Sequence, residues 1–234
     1  MKVEIWSDVM CPFCYVGKKN FEEALVKLSF SDEIEVVWKS FQLDDSLPIE
    51  GLTMSTKEYL IKRKGMPEQQ IEGMLQNLQA AGEAVGINFR QDIAVPVNTI
   101  RAHRLSHFAA LKGKGNEMEE ELFKAHFTLG ENVGAIEVLS KLAKAIGLNE
   151  DEVRNFLLSD EQMNEVKQDI QEAKELGISG VPFFVVNRKY GISGAQPAEV
   201  FLEALTQTYQ EDKPSLEMKG EDGSVSCGPE GCEI

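Results

Sequence analysis

The chain has 234 residues, of which 42% are hydrophobic and 27% are charged, and its formal net charge is −15 at pH 7. This composition is typical of a soluble globular protein and excludes a fibrous or largely disordered chain. The acidic balance argues against nucleic acid and anionic membranes as partners, because both are bound through clustered Lys and Arg. No apolar stretch is long enough for a membrane span or an export signal, so we expect a cytoplasmic protein.

The first segments predict a β-α-β unit. Residues 2–6 alternate polar and apolar side chains, which indicates a strand. A helix is predicted from Pro12 onward, because proline is tolerated in the first turn and Phe21 and Leu25 recur at helical spacing. Residues 34–41 are rich in β-branched and aromatic side chains and predict a second strand.

The middle of the chain, residues 53–176, has helical periodicity throughout and predicts five or six helices. The spacing of polar residues predicts helix starts after Ser55, Asn149 and Ser159.

The last predicted elements are two strands and a helix. Residues 181–187 predict a strand, residues 190–193 its short partner and residues 197–209 a helix. Together with the opening unit, this order predicts an α/β fold interrupted by an inserted all-helical domain.

The corresponding domain boundaries are as follows. Residues 1–50 and 177–210 form the α/β domain, and residues 51–176 form the helical insertion. Residues 211–234 are polar and contain glycine, and we expect them to be a flexible C-terminal tail.

The cysteines are the strongest functional signal, since the four of them form one close pair near each end of the chain. The first pair, Cys11-Pro12-Phe13-Cys14, follows a predicted strand and opens a predicted helix, a setting typical of redox motifs. A helix N-terminus favours negative charge, so we predict Cys11 as the nucleophilic thiolate and Cys14 as the resolving thiol. Pro12 and Phe13 are expected to tune the redox potential. Half of a zinc site, or a pair of idle buried thiols, is the alternative.

Val181-Pro182 is the second signal, because it begins a predicted strand, a position that accepts proline. A cis bond there would present the Val181 backbone to an extended substrate beside the thiols. An ordinary trans proline at a strand start is the alternative.

Four segments together resemble the DsbA family, and within it FrnE-like proteins: residues 11–17, 98–104, 177–185 and 190–196. The resemblance implies a thioredoxin-like fold with a helical insertion, a cis bond at Pro182, and disulfide exchange with protein or small-molecule thiols in a cytoplasmic setting. It also draws attention to Asn98 and His103 as possible substrate contacts.

The second pair, Cys227 and Cys232, flanks a Gly-Pro-Glu-Gly stretch that suits a type I turn. Such a turn would bring the two Cα atoms into disulfide range. FrnE-like proteins include members with a C-terminal pair of this kind, and the tail could span up to about 55 Å, so we hypothesise that this pair exchanges with Cys11 and Cys14. A small disulfide cap on the tail and a four-thiolate zinc site are the alternatives.

No cofactor and no bound metal are predicted. His103 and His107 have the four-residue spacing of some metal ligands, but no accompanying carboxylate pattern is present, so packing or substrate contact is favoured. Two other functions stay open. One is a glutathione-dependent transferase of the kappa type or a 2-hydroxychromene-2-carboxylate isomerase, which generally lack the second cysteine of the motif. The other is a non-catalytic zinc-binding module that uses all four cysteines.

Overall fold

The structure is a computed structural model that describes residues 1–212 and two short strands at residues 227–228 and 231–232. Most of the predicted tail therefore lies outside the described residues. Within the described residues, no helix is both long and apolar enough to cross a membrane.

A four-stranded sheet has the order β2-β1-β3-β4. Strand β1 (Lys2–Ser7) pairs in parallel with β2 (Glu35–Ser40) and antiparallel with β3 (Phe183–Val186), which in turn pairs antiparallel with β4 (Tyr190–Ser193). Strand β1 is almost wholly buried because strands lie on both sides of it. The parallel pair requires a crossover, and the first helix supplies it.

Helices α1 (Pro12–Val26) and α9 (Ala198–Glu211) pack against each other beside the sheet. Their contact includes three buried aromatic side chains, Phe21, Phe184 and Phe201, whose ring centroids lie 4.6 to 5.7 Å apart. Burial of such side chains is a large favourable contribution, so this cluster holds the first helix at a fixed position over the sheet.

Seven α-helices lie between β2 and β3 in the described part of the chain, where the periodicity predicts five or six. The difference arises where Gly65 ends α2 in a left-handed conformation with φ 67° and Pro67 then precedes α3. The helices are α2 (Thr56–Lys64), α3 (Glu68–Ala84), α4 (Ile100–Leu111), α5 (Gly115–Lys124), α6 (Ile136–Ala145), α7 (Glu150–Leu158) and α8 (Met163–Glu175).

Two of the three predicted helix starts are confirmed. Ser55 forms a capping box with Glu58, and the Asn149 side chain accepts hydrogen bonds from the first turn of α7. The start after Ser159 is wrong, since α8 begins only at Met163. The Ser159 hydroxyl instead donates to the carbonyl at the end of α7, at 2.7 Å from Phe156 O.

The helical segment has a core of its own, formed by apolar side chains of α4 to α7. It is tied to α1 by Lys18, whose buried ammonium group lies 2.8 Å from Glu120 on α5 and 2.5 Å from Glu22. Glu120 also accepts a hydrogen bond from the Tyr15 hydroxyl at 2.8 Å. The helix that begins at the cysteines is thereby fixed to the insertion as well as to the sheet. The predicted fold class, α/β and thioredoxin-like with a helical insertion, is confirmed.

Candidate active site

Cys11 is the N-cap residue of α1, and Pro12 occupies the first helical turn. The amide of Cys14 donates a hydrogen bond to Cys11 Sγ at 3.3 Å. This is the interaction by which a capping side chain satisfies an unpaired NH group of a helix start. An anionic sulfur accepts such a bond more strongly than a neutral one.

Cys14 lies one turn into α1 and is 1% exposed, while Cys11 is 5% exposed. Both thiols are free. Burial raises the pKa of the Cys14 thiol well above its ordinary value, and the neighbouring Cys11 raises it further. At neutral pH Cys14 therefore carries its proton, and it must release that proton before it can attack a sulfur atom.

The loop before β3 approaches Cys11 from the opposite side. The Val181–Pro182 bond is cis, as the family resemblance implies. Cys11 Sγ lies 3.4 Å from the carbonyl oxygen of Val181 and donates to it when protonated. The helix start and this loop therefore flank the same sulfur atom.

Gly17 allows α1 to lie close to the loop. A Cβ atom at this position would lie 3.0 Å from Pro182 Cγ and 3.4 Å from the ring of Phe184. Few real Cβ contacts are that short, so a larger side chain would displace the helix from the loop. This glycine sets the distance between the cysteines and Pro182.

Asp8 and His103 form a buried contact between a carboxylate and an imidazole. Asp8 accepts hydrogen bonds from the amides of Met10 at 3.2 Å and Leu43 at 2.7 Å, and its carboxylate lies 3.5 Å from His103 Nε2. That separation is an ion-pair contact rather than a well-formed hydrogen bond. Burial lowers the pKa of His103, but the Asp8 carboxylate outweighs burial and raises it. Burial raises the pKa of Asp8, but His103 and the two amides lower it overall.

The two residues that the resemblance suggested as substrate contacts both face other protein groups. His103 is 3% exposed and lies against Asp8. The Asn98 side chain accepts from Gln42 at 3.2 Å and donates to the carbonyl of Asp45 at 2.8 Å. Neither residue lines the cavity beside Cys11, and their contact with substrate stays a prediction.

His103 and His107 point to different partners. His107 Nε2 lies 3.0 Å from Asp169, whereas His103 lies against Asp8. Within residues 1–212 no group of three or more His, Cys, Asp or Glu side chains is arranged to hold a metal ion.

A cavity of about 390 Å³ borders Cys11, and sequence reasoning missed it. Pro12 and Phe13 of the motif form one wall, and the others are formed by α2, α3, a π-helical segment (Ala125–Leu129) and loops that carry Leu43, Gln91 and Pro96. No sequence pattern gives this cavity, because its walls come from segments far apart in the chain.

The C-terminal pair lies in two short antiparallel strands, β5 (Cys227–Gly228) and β6 (Gly231–Cys232), with Cys227 opposite Cys232. Opposite residues of such strands have Cα atoms about 4.5 to 5.5 Å apart, which falls within the disulfide range. The side chains of both cysteines lie outside the described part of the structure.

Comparison with known proteins places the chain in a family. A model of the DSBA-like thioredoxin domain matches residues 2–206. The chain belongs to the DsbA-like thioredoxin family. Members of this family include thiol-disulfide oxidoreductases, and the protein is therefore assigned to that broad class.

Three proteins similar to this chain are compared in sequence or in structure. A probable DsbA oxidoreductase from Streptomyces coelicolor is 38% identical, with a TM-score of 0.85 over 100% of this chain and 99% of that one. The Bacillus subtilis protein YwbO is 30% identical over 87% of this chain and 95% of its own length. A 2-hydroxychromene-2-carboxylate isomerase is 15% identical, with a TM-score of 0.70 over 91% of this chain and 98% of that one, and it shows a shared fold alone.

Proposed function

We propose that this member of the DsbA-like family exchanges disulfides through Cys11 and Cys14. The observation that carries the proposal is the position of Cys11 Sγ, between the amide of Cys14 at 3.3 Å and the carbonyl of Val181 at 3.4 Å. The amide offers a hydrogen bond to the reacting sulfur, and the Val181 backbone offers a hydrogen-bonding partner to an extended substrate.

The reaction has two balanced steps. The Cys11 thiolate attacks one sulfur of a substrate disulfide, which forms a mixed disulfide and releases the other sulfur as a thiolate. Cys14 then loses its proton and attacks Cys11 Sγ, which releases the second substrate thiol. The substrate gains two electrons and the dithiol becomes a disulfide. The reverse sequence oxidises a dithiol substrate.

Cys14 separates this function from the isomerase or transferase alternative. Disulfide exchange with release of product requires a resolving thiol, whereas those enzymes generally lack the second cysteine. Pro12 and Phe13, which lie between the thiols, are proposed to tune the redox potential.

The test is reduction of insulin by wild type, Cys11→Ser and Cys14→Ser proteins, with dithiothreitol as the terminal reductant. Wild type should precipitate insulin faster than dithiothreitol alone, and Cys11→Ser should equal the uncatalysed rate. Full activity in Cys11→Ser would refute the proposal. Zinc content is measured on the same preparations, because one zinc ion bound by all four thiols would support the binding-module alternative.

We also propose that Cys227 and Cys232 form a second redox pair that exchanges with the first. Their backbone register supports a disulfide between them. The pairing is tested by mass mapping after oxidation of a Cys14→Ser, Cys232→Ser double variant, in which no second thiol can resolve an intermediate and a disulfide between Cys11 and Cys227 would demonstrate exchange. Absence of that disulfide, with both thiols recovered unpaired, would contradict it.

A further inference from the structure

The cavity beside Cys11 is mainly apolar. Phe13 and Leu43 lie on the side of the motif, and Leu75, Leu78 and Phe127 lie on the side of the insertion. Its volume of about 390 Å³ falls in the range of small-molecule sites, which is about 300 to 1,000 Å³. An apolar group bound there would lie next to the nucleophilic sulfur.

Most polar groups in the wall already have partners. The Tyr59 hydroxyl donates to Asp44 at 2.7 Å, and the Lys64 ammonium group lies 2.9 Å from the same carboxylate. The Thr56 hydroxyl lies 3.5 Å from the carbonyl of Ala94. These groups are therefore engaged within the protein.

Two polar atoms of the wall differ from the rest. Gln91 Nε2 and His126 Nδ1 are buried and have no hydrogen-bonding partner among residues 1–212. Burial of an unpartnered donor costs free energy, so such atoms often mark a place where a ligand supplies the missing partner. His126 is 2% exposed, and burial lowers its pKa to about 4, so the ring is neutral at pH 7. The π-helical turn that holds it is itself a feature frequent at functional sites.

We propose that this cavity binds the arm of a small disulfide substrate that carries a compact apolar group, such as an aromatic ring, and one carbonyl acceptor. The apolar group contacts Leu75, Leu78 and Phe127, and the amide of Gln91 donates to the carbonyl. The scissile sulfur then lies at Cys11. This inference rests on the proposed function and adds to it a preferred substrate class.

The chemistry is that of the exchange described above. Cys11 attacks the sulfur attached to the bound arm, the S–S bond breaks, and the other arm leaves as a thiolate. Cys14 then displaces the bound arm as a second thiolate, and both electrons come from the dithiol, which dithiothreitol regenerates in the assay.

Two matched probes test the preference. N,N′-dibenzoylcystamine and N,N′-diacetylcystamine have the same disulfide and the same amide, and they differ only in the aromatic ring. In wild type we expect kcat/KM for the benzoyl probe to exceed that for the acetyl probe by at least about tenfold, because the ring is buried. In Leu75→Trp, where the indole fills the cavity, the ratio should fall to about one. Gln76→Trp places the same side chain on the exposed face of α3 and should keep the wild-type ratio.

A second measurement does not depend on the folding of a variant. N-ethylbenzamide is the probe arm without sulfur, and it should inhibit reduction of the benzoyl probe by wild type competitively. N-ethylacetamide at the same concentration should not.

The outcomes separate this inference from the proposed function. A wild-type ratio near one, or an unchanged ratio in folded Leu75→Trp, overturns the inference while disulfide exchange stands. Absence of competitive inhibition by N-ethylbenzamide overturns it too. Reduction of both probes by Cys11→Ser at the wild-type rate refutes the proposed function, and the inference falls with it.

Discussion

The backbone amide of Cys14 donates a hydrogen bond to Cys11 Sγ, so the helix that holds one motif residue contacts the sulfur of the other. The same residue is buried, and its own thiol stays protonated. The two cysteines are therefore chemically different before any substrate arrives. This asymmetry supports the proposal that Cys11 attacks the substrate and Cys14 resolves the mixed disulfide.

Resolution should depend on pH. Since burial is the main cause of the raised pKa of Cys14, the effect persists when Cys11 is in a mixed disulfide. The rate of release of the second substrate thiol should therefore keep rising with pH even above the ordinary pKa of a cysteine thiol, about 8.5. Single-turnover kinetics with a preformed mixed disulfide measure this rate. A plateau below neutral pH would contradict the assignment.

Glu120→Gln should destabilise the protein, because Lys18 is buried and would lose a charged partner. We expect a loss of about 3 kcal/mol in the free energy of unfolding, measured with urea. Glu117→Gln on the same helix is the control, since its ion pair with Lys114 is exposed and should contribute less than about 1 kcal/mol. Equal effects of the two changes would contradict the role of Glu120.

The Glu120 carboxylate should also make the stability of the protein fall in acid. Burial raises the pKa of Glu120, but Lys18 and Lys19 outweigh it and lower the pKa to about 2. Because the pKa of Glu120 is lower in the folded than in the unfolded protein, its charge stabilises the fold above the unfolded pKa of about 4.3. This stabilisation is lost as the pH falls towards about 2. The urea midpoint of wild type should fall more steeply across this window than that of Glu120→Gln. If the urea midpoints of the two proteins fall in parallel with pH, the contribution of the Glu120 charge is contradicted.

Gly17→Val should weaken the contact between α1 and the Pro182 loop. The added side chain meets Pro182 Cγ and the Phe184 ring, and we expect a loss of about 1 to 3 kcal/mol in stability together with slower insulin reduction. Gly73→Val is the matched control, because a Cβ there meets no atom within 4 Å. Wild-type activity in Gly17→Val would show that the distance between helix and loop is unimportant.

The local features of the site could be predicted from the sequence. A strand, a proline in a first helical turn and the C-x-x-C spacing identify the helix start at Cys11. The order of strands and helices gives the α/β fold with its insertion, since periodicity and turn residues are properties of neighbouring positions. The cis bond at Pro182 followed from the resemblance of whole segments rather than from any local pattern.

The long-range contacts could not be predicted. Asp8 and His103 are 95 positions apart in the chain. The spacing of apolar and polar residues does not predict that a carboxylate after β1 contacts an imidazole in α4. The cavity is likewise formed by segments that are far apart in the chain. Whether Gln91 and His126 find hydrogen-bonding partners depends on how these segments pack. Such contacts depend on how distant segments pack, and patterns of neighbouring residues in one sequence do not predict that packing.

The most direct test of the account is to map the covalent adduct that a disulfide substrate forms with a variant in which Cys14, Cys227 and Cys232 are all replaced by serine. Because no second thiol remains to resolve it, a mixed disulfide should accumulate, and peptide mass analysis should place the substrate arm on Cys11. A Cys11 thiol that stays unmodified in the presence of excess substrate would contradict the central claim.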